Sequence, residues 1–85
     1  MRGGELDVVA QRDNVVVVCE VKARANANFG APLEAITPQK VARVQRAGHA
    51  FFRDYRQVHS HQKLSLRFDV ATVLGTHLEV FENFF

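Results

Sequence analysis

The sequence predicts a small α/β domain with a mixed four-stranded sheet in ββαββ order. Three observations carry this. The run Val15 to Cys19, four valines and a cysteine, reads as the interior of a buried strand. A segment with helical periodicity follows, from Pro38 to about Val58. Two more strand-like segments, Arg67 to Leu74 and His77 to Phe81, come after it.

A chain of 85 residues has room for one domain with a modest core. Apolar residues make up 47% and charged residues 24% of it, an ordinary globular composition. No apolar stretch is long enough to span a membrane. The opening Met1-Arg2-Gly3-Gly4-Glu5 has no signal-peptide core. A single cysteine excludes an internal disulfide, and its place in the most apolar run makes Cys19 an expected core thiol, reduced. A cytoplasmic location follows as the expectation. The net charge of +2 says little about a polyanionic partner, so the positions of the charges matter more.

The first strand is predicted over Leu6 to Ala10, and Gln11-Arg12-Asp13-Asn14 is a polar turn. The second strand runs from Val15 to Lys22 or Arg24. A turn centred on Arg12-Asp13 pairs Ala10 with Val15, Asp7 with Val18 and Glu5 with Glu20. Glu5, Asp7, Glu20 and Lys22 then share one face, with Val16 and Val18 beneath. A loop leads to Thr37-Pro38, where Thr37 suits an N-cap and Pro38 the first helical position. Along the helix Val41, Val44, Ala47, Phe51, Phe52, Tyr55 and Val58 form one apolar stripe, with Arg43, Arg46, Arg53 and Arg56 on the opposite arc. Lys40 breaks the pattern, because it lies in the first turn at the azimuth of the stripe and should face the sheet or its rim. The helix joins two parallel strands, for which a right-handed crossover is expected. Gly75-Thr76 is a tight turn before the last strand.

The triplet Glu20-Val21-Lys22 ends the valine strand, and its acid and base share a face. It is either a charged pair at a strand end that has reached water or a piece of chemistry. Carboxylates crowded on one sheet face repel each other, and a divalent cation reverses that sign. Hard ions such as Mg²⁺ take carboxylate and carbonyl oxygens at about 2.1 Å and keep several waters. Asp7 and Glu20, as diagonal neighbours about 7 Å apart, could hold one ion with the backbone carbonyl of Val21. Lys22 would then flank the attacking water and offset phosphate charge. Arg24, Lys40, Arg43 and Arg46 are the candidate nucleic-acid contacts, although an arginine arc is also an ordinary solvated face. His59 and His61 lie in a polar loop with no third ligand and are expected in solvent. Asp69 is expected in a structural ion pair with Arg67 or another base.

Asp7 followed after twelve residues by Glu20-Val21-Lys22 resembles the PD-(D/E)xK nuclease superfamily, with its restriction-endonuclease-like fold. More narrowly, Gly4-Glu5-Leu6-Asp7-Val8-Val9-Ala10, Val18-Cys19-Glu20-Val21-Lys22-Ala23-Arg24, Phe29-Gly30-Ala31-Pro32-Leu33-Glu34-Ala35 and Arg67-Phe68-Asp69-Val70 look like successive blocks of the uncharacterised bacterial YraN family. Thr37-Pro38-Gln39-Lys40 and Phe81-Glu82-Asn83-Phe84-Phe85 match too. That family is similar in its core to archaeal Holliday junction resolvases.

The resemblance implies a restriction-endonuclease-like core and Mg²⁺- or Mn²⁺-dependent hydrolysis of nucleic-acid phosphodiesters, with branched DNA as a candidate substrate. Asp7, Glu20 and the Val21 carbonyl would bind the metal, Lys22 would assist the water, and Glu5, Lys40 or both would support the site, Glu5 being otherwise a surface acid at the strand start. The rival expectation is a non-catalytic nucleic-acid-binding or scaffolding module on the same fold. Family members usually carry a helix before the Gly-Glu-x-Asp block, whereas this chain starts at Met1-Arg2-Gly3. A chain shortened at its N-terminus, with one sheet face uncovered and protected in a homodimer, is therefore expected.

Overall fold

The computed structural model describes residues 6–26, 33 and 36–85. Its elements are β1 (Val8–Arg12), β2 (Val15–Arg24), α1 (Pro38–Val58), β3 (Ser65–Leu74) and β4 (His77–Phe81). They form an α/β unit with one four-stranded sheet in the order β1-β2-β3-β4. The pairings are antiparallel, parallel and antiparallel, so the sheet is mixed as predicted. The parallel pair is the one that needs a long connection, and α1 lies within it.

The first hairpin is tighter than expected. Arg12 pairs with Val15 and Val9 with Val18, which leaves a two-residue turn of Asp13 and Asn14. Asp13 takes φ 54°, a left-handed conformation that Asp tolerates better than most residues. The ladder is thus displaced by two residues from the predicted one, and its continuation sets Asp7 opposite Glu20 rather than Val18. An even displacement keeps every side chain on its predicted face. β1 correspondingly starts two residues later than expected, and Leu6 is buried just ahead of it. The second hairpin closes as predicted, Leu74 pairing with His77 around Gly75 at φ 60°.

Alternation places Val16, Val18 and Glu20 of β2 and Phe68 and Val70 of β3 under α1. Val16, Val18 and Val70 are fully buried, each contributing about 1.5–3 kcal/mol relative to exposure. Leu6, Val18, Val44, Ala47 and Phe68 form the central cluster. The helix begins where Thr37 predicts, since the Lys40 N–H donates to Thr37 Oγ1 at 3.2 Å and Pro38 opens the first turn. Two side chains depart from the predicted core. Val58 is 77% exposed, because the last turn of α1 carries it away from the packed stripe. Cys19 is half-buried on the sheet face away from α1. Burial, then the nearby Asp69 charge, holds its thiol above the ordinary range.

That second face carries Val8, Val21, Leu78 and Val80, all exposed. Among the described residues no helix covers it, and the homodimer expectation rests on this face. No helix among the described residues is long and apolar enough to cross a membrane. His59 also departs from its prediction: it caps α1, is half-buried, and its ring stacks on Tyr55 at 4.1 Å.

Asp69 anchors the C-terminal turn. Arg67 donates to both of its carboxylate oxygens at 2.9 Å, and the Asn83 N–H donates to Oδ1 at 2.9 Å. Phe84 N–H then donates to the carbonyl of Phe68. Asp69→Ala would strip three hydrogen bonds from a buried carboxylate site. The expected loss is about 1–3 kcal/mol in urea unfolding, with Asp69→Asn losing less.

Candidate functional site

The site forms where the N-terminal turn of α1 crosses the sheet beside β1 and β2. Glu20 sits on the helix-facing side of β2 and is only 5% exposed, so its strand has not reached water. Asp7 approaches from just ahead of β1. Its Oδ2 accepts the Val21 N–H at 3.0 Å, and its carboxyl is in hydrogen-bond contact with that of Glu20. In a strand a residue's N–H and C=O leave on the same side. The Val21 carbonyl therefore faces β1 as well, next to Asp7.

Two ammonium groups balance the two carboxylates. Lys40 Nζ lies 3.8 Å from Glu20 Oε1, so its sheet-facing azimuth was read correctly from the sequence. Lys22, two residues beyond Glu20 on the same face, is close enough to Lys40 to be affected by it. The electrostatics follow from this crowding. Burial, followed by the contact with Asp7 and its charge, holds the Glu20 carboxyl above the ordinary range. Asp7 is held below it, chiefly by the hydrogen bond with Glu20 and also by the Val21 amide, with burial opposing. The amine of Lys40, then burial, pushes Lys22 down.

A cleft of about 550 Å³ opens over this group. Asp7, Glu20, Lys40, Arg43 and Arg46 line it together with the buried Val44 and Ala47. Placing both arginines on an arc facing wholly away from the stripe was thus too strict. Their long side chains reach the rim of the same cleft from the flank of the helix. Arg24 is on the face of Glu20 and Lys22, two residues beyond Lys22, and is half-buried. It does not join the cleft lining. Glu5 lies outside the described residues. Gly48, not singled out in the sequence, sets how closely α1 lies on the sheet beside Ala47 of the predicted stripe.

The donor set suits a hard divalent cation. Two touching carboxylates and a carbonyl provide oxygen ligands of the kind Mg²⁺ accepts beside its waters. A cation between them would offset the repulsion between the Asp7 and Glu20 carboxylates. Among the described residues no group of three His, Cys, Asp or Glu side chains assembles, so a cation here would rely on water and phosphate oxygens for its remaining positions.

Residues 1–73 match the profile of the uncharacterised protein family UPF0102. The chain belongs to this family. Related UPF0102 proteins include one from Acidothermus cellulolyticus, 39% identical over 79 residues, which cover 86% of this chain and 60% of that protein. One from Thermus thermophilus is 47% identical over 74 residues, covering 86% and 59%. One from Sulfurihydrogenibium is 35% identical over 82 residues, covering 96% and 68%. The chain spans about 60% of the length of the first of these relatives. The family resemblance read from the Gly-Glu-x-Asp and Glu-x-Lys blocks is therefore correct at the level of the UPF0102 family, known also as the YraN family. The matched span holds Asp7, Glu20, Lys22 and Lys40.

Proposed function

We propose that this UPF0102 chain is a nuclease-like domain with a restriction-endonuclease-like core, hydrolysing nucleic-acid phosphodiesters with Mg²⁺ or Mn²⁺. The observation that carries the reading is the contact between Asp7 and the buried Glu20 in a cleft that Lys40, Arg43 and Arg46 also line. Carboxylates in such contact are costly unless a proton or a cation stands between them.

Asp7, Glu20 and the Val21 carbonyl would hold the cation, which when bound offsets phosphate charge and acidifies water. Lys22 orients the attacking water and takes its proton, a role supported by the downward push on its amine. Lys40 and Arg43 receive the phosphate undergoing attack, and Arg46 and Arg24 hold flanking phosphates. DNA is the partner tested first, in branched and in linear form.

The experiment is direct. Purified protein should nick DNA in Mg²⁺ or Mn²⁺, and Asp7→Ala should remove both nicking and calorimetric metal binding. If no substrate is cut and no metal binding depends on Asp7, the enzyme reading fails. DNA binding that weakens steeply with salt in that same protein would instead identify a non-catalytic binding module.

A further inference from the structure

We infer that Lys40 is a displaceable counter-ion of Glu20, so that a divalent cation and a phosphate bind the site better together than either does alone; this rests on the proposed function. The charges give the first reason. Asp7 and Glu20 carry two negative charges in their ionised forms, and Lys22 and Lys40 two positive ones. A cation arriving alone must compete with ammonium groups already in place. A phosphate arriving alone meets two carboxylates. Arriving together they cancel much of each other's charge, and the lysine given up by Glu20 acquires an oxyanion partner.

The geometry makes Lys40 the mobile member. Its backbone is fixed in the first turn of α1, where its N–H donates to Thr37 Oγ1. The ammonium stands on a flexible four-carbon stem. At 3.8 Å from Glu20 Oε1 it is beyond the 2.7–2.9 Å of a tight charged hydrogen bond. It lines the same cleft as Arg43 and Arg46, so a swing towards them would keep it among the cations that a phosphate chain in the cleft would meet. Glu20, by contrast, is buried in β2 and has no comparable freedom.

The test measures Mn²⁺ binding by electron paramagnetic resonance, with and without a phosphorothioate DNA duplex. Wild-type chain, Lys40→Met and Lys40→Arg are compared after circular dichroism has confirmed their folding. In the wild type the duplex should tighten Mn²⁺ binding about five-fold or more. Lys40→Met should bind Mn²⁺ alone more tightly than the wild type, and most of the coupling to DNA should disappear. Its DNA affinity in Mn²⁺ should also lose about 0.9 from the salt slope, one phosphate contact's worth. Lys40→Arg should keep the wild-type coupling. Equal or weaker Mn²⁺ binding by Lys40→Met with coupling intact overturns the inference. So does a wild type without coupling, even if the Met variant fails to fold. Absence of any Mn²⁺ binding dependent on Asp7 overturns the nuclease reading as well, and the two failures are thereby told apart.

Discussion

Glu20→Gln should reduce phosphodiester cleavage more than about 100-fold, beyond the range usual for losing a residue that merely supports a metal ligand, while raising thermal stability at neutral pH. The second half of this expectation separates a functional carboxylate from a structural one. Burial and the adjoining Asp7 hold Glu20 above its ordinary value of 4.5, so the fold favours its protonated form. Above that ordinary value, up to the raised value in the fold, the folded chain binds more protons than the unfolded chain. Stability contributed by this group is therefore present at low pH and lost as pH rises through that window. A glutamine, which is neutral throughout, does not suffer the loss. The Tm gain of the variant should be present above that window and vanish below it, where Glu20 is protonated whether folded or not. Asp7 works in the opposite sense and at lower pH. Held below 3.8, it contributes stability above that value that is lost as pH falls towards its lowered value in the fold. A combined loss of cleavage and gain of stability is the pattern of a site kept under electrostatic strain for use. A loss of both would mark Glu20 as a structural partner of Lys40.

Much of this arrangement was legible because it depends on local pattern. The valine run, the Thr37-Pro38 start and the azimuth of Lys40 each need only a period and a cap, and all three hold in the structure. The hairpin register was less accessible. It turns on whether Asp13 adopts a left-handed φ, a choice between turn lengths that nearby sequence leaves nearly balanced. The two-residue displacement kept the faces but changed the partner of Asp7 from Val18 to Glu20, and so turned a diagonal pair into a contacting one. The depth of Glu20 was ambiguous for a different reason. A strand end reads as exposed unless one knows that α1 begins directly above it, and that depends on how a helix of this length is laid across the sheet. Arg43 and Arg46 were placed by helical angle alone, which ignores how far an arginine reaches.

Gly48 carries the other large effect, and it arises from a distance that no periodicity encodes. A Cβ built at Gly48 would lie 2.5 Å from Phe68 Cε1 and 2.8 Å from Cζ, with Val18 Cγ2 at 3.5 Å. The phenyl ring cannot easily withdraw. It is buried, lies 5.6 Å from the Phe85 ring and packs against His49 at 5.5 Å. Gly48→Ala gains about 1 kcal/mol of helix propensity, yet overpacking costs about 1–3 kcal/mol, so a small net loss is expected. Gly48→Val adds volume at the same contact without the favourable propensity of alanine. It should lose about 2–3 kcal/mol or more, a fall in Tm of about 10 °C or more for a chain of this size. The decisive comparison is a double-mutant cycle with Phe68→Leu. Alone, Phe68→Leu leaves a partly filled space and destabilises. Combined with Gly48→Ala, that space receives the new methyl group, so the pair should cost less than the sum of its parts by about 0.5 kcal/mol or more. Additive losses would show that α1 shifts as a body to relieve the clash. Such a shift would move Val44 and Ala47, which line the cleft, and with them Lys40 relative to Glu20. Mn²⁺ affinity in Gly48→Ala distinguishes the outcomes: it stays at the wild-type value if Phe68 yields and changes if the helix does.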